Sequence, residues 1–456
     1  MNQEIINKYN VSTPRYTSYP PANYFKPMTG EQLIEEIGKS NQAKNNNISF
    51  YIHMPFCRRL CHYCGCNSYP MGSSQTVADY LKALHQEIDL VASHLAKNRR
   101  ISQIHYGGGS PTAMPTHELK ALNDHLLSLF PTIDKPEIAI ECHPGYLTPS
   151  QWEELLDARF NRFSIGVQDI RPDVLKAVNR QMPQIPLADI FAILRSRDHV
   201  SINMDFLFGL PLQTPESFAQ TIATACQLRP DRLVTFSYGH VPWVFPRQKI
   251  LEKMGLPRPE EKNRMFTLAA QTLQAAGYNQ LGMDHFVLPT DELYLARQQK
   301  LLRRNFQGYC TLRTTGQVYA FGVSGISQLD SAYAQNGKDI AAYIAAVGQG
   351  TMPTVRGYRL TQSEKVVREV VESLMCNYHV DFDAVARQLG LPDGNEVKAC
   401  CNYPADQLND MQNDGIITLT DNSITLTDER SPFVRNVAAA LDPMMCNTTR
   451  LFSKPI

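Results

Sequence analysis

Four cysteines fall in one short run of residues 51–67, YIHMPFCRRLCHYCGCN, at Cys57, Cys61, Cys64 and Cys66, with the spacing C-x-x-x-C-x-x-C-x-C. Thiolates are soft ligands suited to zinc or iron-sulfur clusters, and four this close would not all pack as dry core. Structural zinc takes four ligands, commonly from two separated C-x-x-C knuckles, and no second knuckle follows here. A four-iron four-sulfur cluster held by three thiolates leaves one iron open to an amine and a carboxylate, the corner that radical chemistry needs. Zinc, and four incidental or disulfide-forming cysteines, are the competing readings.

Such a loop needs a scaffold. A chain of 456 residues exceeds the usual single domain, so two domains are expected. Lys plus Arg and Asp plus Glu both total 44, which gives no global field for nucleic acid or membrane. An anionic substrate would have to be held by a local patch. The start, MNQEIINKYN, has neither the order of a secretion signal nor Arg-rich transit character, and no run approaches a membrane span. Eleven cysteines with seven of them scattered are no disulfide framework at this size, so a reducing, cytoplasmic compartment is expected.

Residues 1–46 mix Pro, Tyr and Asn around one helical stretch, and are expected to form an arm over a domain. From residue 47 to 356 the texture is alternating strand and helix. Strand-like runs occupy residues 49–56, 101–107, 137–142, 162–168, 202–209 and 233–239. The clearest helix between them places Leu81, Leu84, Ile88, Val91 and Leu95 on one face. Six such units predict an α/β fold, an open (β/α)6 partial TIM barrel, whose chemistry collects at the carboxyl ends of the strands. The unusual residues fall there: the cysteines after the first run, Gly107-Gly108-Gly109-Ser110-Pro111 after the second, Glu141 and Gln168 ending the third and fourth, Asp205 within the fifth, Gly239 ending the sixth. Residues 257–276 predict a helix stopped by Gly277, and the motifs around Asp284-His285 and Arg303-Arg304 read as loops. Residues 357–456 predict a mainly helical, winged-helix-like domain, with a helix capped by Thr361 or Ser363 and a hairpin over 415–429 turning at Asp421-Asn422.

Cys57-x-x-x-Cys61-x-x-Cys64 resembles the signature of the radical S-adenosylmethionine (SAM) superfamily. With Gly65-Cys66-Asn67 and the run PRYTSYP at residues 14–20, the chain resembles the family of oxygen-independent coproporphyrinogen III oxidases from about Tyr9 to the final residues 452–456. The resemblance implies one 4Fe-4S cluster on Cys57, Cys61 and Cys64, and two bound SAM molecules. The glycine stretch Gly108-Gly109-Ser110 would pair with the methionyl amino group, Glu141 with the ribose, and Tyr51 and Ile326 with the adenine side. The second SAM would contact Tyr63, Gly109, Ser110, Gln168, Arg180, Asp205 and Gly239. Asp205 stands out on chemistry alone, because a carboxylate in an apolar strand needs a partner or a ligand. Cys66 is expected near the substrate and off the cluster, since a fourth thiolate would close the open iron. Ser110 replaces a more usual threonine, and Cys142-His143-Pro144 departs from the family pattern after Glu141.

The implied reaction is oxidative decarboxylation of two propionates of coproporphyrinogen III to vinyl groups, giving protoporphyrinogen IX in haem biosynthesis, driven by a 5'-deoxyadenosyl radical. Arg15, Arg303 and Arg304 are candidate propionate anchors, and Asp284 and His285 candidate pyrrole contacts. A low-potential donor such as flavodoxin or ferredoxin, an unnamed electron acceptor and a monomeric state complete the expectation. The alternatives are a haem chaperone of the same superfamily and a radical SAM methyltransferase that opens haem. The chaperone's H-N-x-x-Y-W motif is not matched at His240-Val241-Pro242-Trp243.

Overall fold

Six strands run parallel and hydrogen-bond in chain order: β1 (Asn47–Met54), β2 (Arg100–Gly108), β3 (Thr132–Cys142), β4 (Arg162–Gln168), β5 (Ser201–Phe208) and β6 (Arg232–Ser237). The computed structural model describes residues 3–311, 313–314, 316–428, 432–446, 448–450 and 452–453. Residue 429 of the expected hairpin and residues 454–456 of the resemblance lie outside the described residues.

Each connection carries a helix whose apolar stripe faces the sheet. The helix Ser74–His94 starts where the Ser73 side chain accepts from the Thr76 N–H, and it buries Tyr80, Leu81, Leu84, Ile88 and Val91. Pro259–Ala275 ends at Ala276, followed by Gly277 at a φ of +89°, a conformation that costs glycine little. The sheet does not close. Beyond β1 a seventh parallel strand, Gln317–Phe321, pairs with it, and antiparallel strands Ile326–Gln328, Ala332–Asn336, Thr354–Arg359 and Lys26–Pro27 follow. Beyond β6 lie His285–Val287 and Asn279–Leu281. The segments read as loops are therefore partly sheet: Asp284 does lie in a turn, but His285 begins an added strand, and Arg303-Arg304 lies in the hairpin Leu302–Asn305/Gly308–Thr311.

A line of paired polar groups crosses the strands towards their amino ends. Gln103 donates to Glu137 at 2.6 Å, Glu137 pairs with Arg162 at 2.5 Å, Arg162 donates to Asn203 at 3.0 Å, and Arg232 pairs with Asp291 at 2.7 Å. Charge buried here is tolerated because it is paired and hydrogen-bonded. The opposite end is left for a site.

The helix Gly30–Ser40, with a capping box between Thr29 and Gln32, adds Leu33 and Ile37 to the barrel core. The earlier part of the expected arm joins a second apolar cluster: Tyr9, Tyr16 and Tyr19 pack with Val367, Val370 and Leu374 of the helix Gln362–Asn377. That helix is capped by Thr361, not Ser363. Strands Ile417–Leu419 and Ser423–Leu426 form the hairpin, and His379–Asp381 pairs with it as a third strand. No helix among the described residues is long and apolar enough to cross a membrane.

Candidate active site

The cysteine loop springs from the carboxyl end of β1 and is stitched at its base. Phe56–Cys57 pairs with Tyr69–Pro70, the Tyr69 N–H donates to the Pro55 carbonyl at 2.7 Å, and the Met71 N–H donates to the Cys57 carbonyl at 2.9 Å. Cys57, Cys61, Cys64 and Cys66 line one cavity, with Cys57 and Cys61 buried, Cys64 half-buried and Cys66 exposed. Burial pushes the Cys57 thiol up to about 12. The Cys64 thiol is lowered, first by the Cys66 thiol and also by the Cys66 N–H, which donates to its sulfur at 3.4 Å.

The glycine triplet ends β2 against this loop. The Gly109 N–H donates to the Met54 carbonyl at 2.7 Å, and a Cβ there would lie 2.7 Å from the Pro55 backbone. A Cβ on Gly107 would meet the Glu141 carboxylate at 2.6 Å, and on Gly108, at a φ of +111°, the His53 ring at 2.5 Å. At Gly109 the obstacle is backbone, at Gly108 a positive φ adds to the contact, and at Gly107 a side chain would displace the Glu141 carboxylate, none of which a plain turn would require. Glu141 accepts the Gly108 N–H at 3.3 Å and faces the His105 Nε2 at 3.3 Å.

Gly108, Gly109, Ser110, Glu141, Gln168, Asp205, Tyr63 and Arg180 line the same cavity as the cysteines. Asp205 accepts from the Ser164 hydroxyl at 2.7 Å, and burial raises its carboxyl to about 6. Gln168 ends β4 with a φ of +69°. Arg180 is not on a helix: it follows the helix Pro172–Ala177 by three residues and turns inward, donating to the Tyr63 hydroxyl at 3.1 Å, towards the Cys61 sulfur at 3.6 Å and to the Gly166 carbonyl.

Three expected contacts lie off the cavity lining. Tyr51, on β1, has its hydroxyl 3.1 Å from His53 Nδ1 and its ring 5.9 Å from that of His105. Gly239 lies beyond the end of β6, and Gln248 links it to the cysteine loop by donating to the Gly239 and Tyr63 carbonyls at 3.3 and 2.9 Å. Ile326 packs beside Phe25, Tyr333 and Leu360.

Among the residues expected at the substrate, Asp284 bonds His285 Nδ1 at 2.7 Å, and the His285 ring meets Tyr309 edge-on at 5.0 Å. Burial opposes ionisation of Asp284, but His285, Arg304 and Arg15 together hold its carboxyl below the usual range. The Arg304 guanidinium lies 5.2 Å over the Tyr309 ring. Strand alternation sends Arg303 to the other face, where it pairs with Glu369 and donates to Gln388 at 3.1 Å. Arg303 is thus apart from Asp284 and His285. Arg15 is exposed, its Nε donating to the Ser453 hydroxyl at 3.4 Å.

The sequence reading did not single out Ser164, His143 as a site group, or Tyr146. Ser164 is a polar residue on the face of β4 that carries Asp205's partner, and alternation within RFSIGVQ marks it. His143 stacks on Tyr146 at 3.9 Å and 4° in the cavity wall, and burial takes its imidazole down to about 2, so the ring is neutral.

Residues 51–225 match the radical SAM superfamily model. Oxygen-independent coproporphyrinogen III oxidases from Synechocystis sp. and Escherichia coli are 33% and 35% identical to this chain, which is covered to 99% by both matches, with 97% and 98% of those proteins covered. The chain belongs to the oxygen-independent coproporphyrinogen III oxidase family. A solved structure of this family, coproporphyrinogen III oxidase from Escherichia coli, described as a radical SAM enzyme, superposes with a TM-score of 0.86 at 32% identity over 97% of this chain and 98% of that one. Family membership brings the 4Fe-4S cluster and SAM, and the donor set fits them. Among the described residues no three His, Cys, Asp or Glu side chains converge as one metal ion requires. Three thiols share a cavity instead with a side-chain-free glycine edge and the acceptors Glu141 and Asp205, which suits a cluster with an amine- and hydroxyl-bearing ligand beside it.

Proposed function

We propose that this chain carries out the anaerobic oxidative decarboxylation of two propionates of coproporphyrinogen III to vinyl groups, giving protoporphyrinogen IX. The observation that carries this reading is the meeting, in one cavity of a chain that belongs to this family, of the three-thiol loop with Gly108, Gly109, Glu141, Gln168, Arg180 and Asp205. Cys57, Cys61 and Cys64 would hold the cluster. Gly108, Gly109, Ser110, Glu141, Tyr51 and Ile326 would hold one SAM, and Tyr63, Gln168, Arg180, Asp205 and Gly239, with Gly109 and Ser110, a second. When bound, cluster and SAM supply the one-electron chemistry that removes a hydrogen atom from an unactivated carbon.

The chain's own residues aim that chemistry and shield it. The buried polar pairs from Gln103 to Asp291 fill the amino end of the barrel. Arg180 brings positive charge beside the thiols and fixes the Tyr63 ring. Asp284, kept ionised, accepts pyrrole N–H groups, with His285 orienting it. Arg15 and Arg304 neutralise propionates. Cys66 serves at the substrate and not as a ligand. Residues 1–46 form the arm, 47–356 the barrel with its substrate-site extension, and 357–456 the C-terminal domain. The chain acts as a cytoplasmic monomer, reduced by a low-potential donor such as flavodoxin or ferredoxin.

The test is an anaerobic incubation of cluster-reconstituted protein with SAM, reductant, coproporphyrinogen III and cell extract as electron acceptor. Stepwise loss of two carboxyl groups is expected. Tight haem binding without decarboxylation, by a cluster that cleaves SAM, would overturn the reading in favour of a chaperone.

A further inference from the structure

Residues 239–254, which follow β6, pack on the cysteine loop. The Val241 N–H donates to the Gln248 side chain at 2.7 Å, and Gln248, 1% exposed, donates in turn to the Gly239 and Tyr63 carbonyls. A Cβ on Gly65 would lie 3.1 Å from the Phe245 ring. Tyr63 and Gly65 flank Cys64, so this segment touches the loop on both sides of the third thiol. Phe245 is itself half-buried, which puts one ring between solvent and the backbone beside Cys64. Leu251 completes the anchor, buried in the apolar cluster of Val174, Val178 and Tyr238 against which Tyr63 packs.

The outward side of the same segment is apolar and basic. Of the twelve large apolar side chains exposed among the described residues, four, Trp243, Val244, Ile250 and Met254, fall within residues 243–254. Trp243 is 77% exposed on a turn in which the Val244 and Phe245 N–H groups donate to the Val241 carbonyl at 2.9 and 3.0 Å, so ordered backbone presents it to solvent. The charges of these residues are Arg247, Lys249 and Lys253 against one carboxylate, Glu252, which His240 already takes at 2.9 Å. Exposed apolar groups gathered in one place mark contact with another molecule, and positive charge among them selects a negative one. Neither Trp243 nor the lysines line the thiol cavity, so this patch is separate from the space for SAM and substrate. What a cluster needs from outside that cavity is an electron, and electron transfer weakens steeply with distance, which favours entry beside a ligand thiol.

We propose that Trp243, Val244, Lys249, Ile250, Lys253 and Met254 form the docking surface for an acidic one-electron carrier protein, which passes its electron to the cluster beside Cys64. The carrier is oxidised by one electron and the cluster is reduced by one, and no bond forms or breaks. A small apolar centre ringed by lysines suits the brief encounters of redox partners. The assignment rests on the reading of Cys57, Cys61 and Cys64 as cluster ligands.

The experiment follows anaerobic reduction of the reconstituted cluster by stopped-flow absorbance, with reduced flavodoxin or ferredoxin as the acidic carrier and separately with dithionite, for wild type, Lys249→Glu/Lys253→Glu and Trp243→Ser. At low ionic strength the carrier-driven rate is expected to fall about ten-fold in the double variant, with the dithionite-driven rate within about two-fold of wild type and a difference that shrinks as salt is added. Trp243→Ser is expected to lower the carrier-driven rate at every salt concentration. An unchanged carrier-driven rate in the double variant, or equal slowing with dithionite, would overturn the assignment. So would a normal carrier-driven rate in Trp243→Ser with a raised KM for coproporphyrinogen III, which would place the substrate on this patch. Should the double variant not yield holoprotein, Trp243→Ser decides alone, and an unchanged rate there overturns the proposal. A wild-type cluster that dithionite reduces and neither carrier does overturns the assignment alone. Wild-type protein that assembles no cluster overturns the functional reading together with it.

Discussion

Arg180 holds its guanidinium 3.6 Å from the Cys61 sulfur while donating to the Tyr63 hydroxyl at 3.1 Å. A half-buried cation beside a cluster thiolate stabilises the more negative, reduced state, so Arg180→Ala is expected to make the cluster harder to reduce. With an effective dielectric near 20, one charge at this range shifts the potential by on the order of tens of millivolts or more. A redox titration followed by electron paramagnetic resonance measures it. A potential unchanged or raised would mean that the guanidinium does not face the cluster.

Cys66 lies two residues past the third ligand, and its N–H and thiol both turn to Cys64. Cys66→Ser is expected to keep its iron and sulfide content and to lose porphyrinogen turnover, whereas serine at Cys57, Cys61 or Cys64 abolishes cluster assembly. Iron loss in Cys66→Ser equal to that in Cys64→Ser would make Cys66 a ligand.

Much of this site could be read from local sequence. The thiol spacing, the glycine triplet and the polar strand ends are short-range signals, and strand-like apolar runs alternating with amphipathic helices mark the order of β1 to β6. The sheet's extension could not be read in the same way. Gln317–Phe321 pairs with β1, far away in the chain, through five residues that make no pattern of their own. Nothing local in the sequence tells that Arg180, three residues past the helix Pro172–Ala177, turns in to Tyr63. Arg303 and Arg304 are adjacent in sequence, but only a strand assignment separates them, since alternation then commits Arg303 to Glu369 and leaves Arg304 over Tyr309.

Glu137 links stability to pH. Burial opposes its charge, but Arg162 and Arg232 prevail and lower the carboxyl from 4.5 to about 2. A carboxyl held lower in the folded state stabilises the fold fully above its unfolded value near 4.5, and this contribution fades as pH falls through about 2. The shift corresponds to roughly 3 kcal/mol at neutral pH. Glu137→Gln is expected to lower the melting temperature at pH 7 and to flatten its acid dependence between those values, as circular dichroism would show. Equal melting temperatures at pH 7 would mean that Arg162 is satisfied without Glu137.

The central claim is that the thiol-loop cavity directs hydrogen abstraction onto a coproporphyrinogen propionate. Coproporphyrinogen III deuterated at the propionate carbons β to the carboxyl groups tests it most directly, with mass spectrometry of both products after anaerobic turnover. Deuterium in 5'-deoxyadenosine, together with two new vinyl groups, is the predicted result. Unlabelled 5'-deoxyadenosine with the propionates intact would contradict the account.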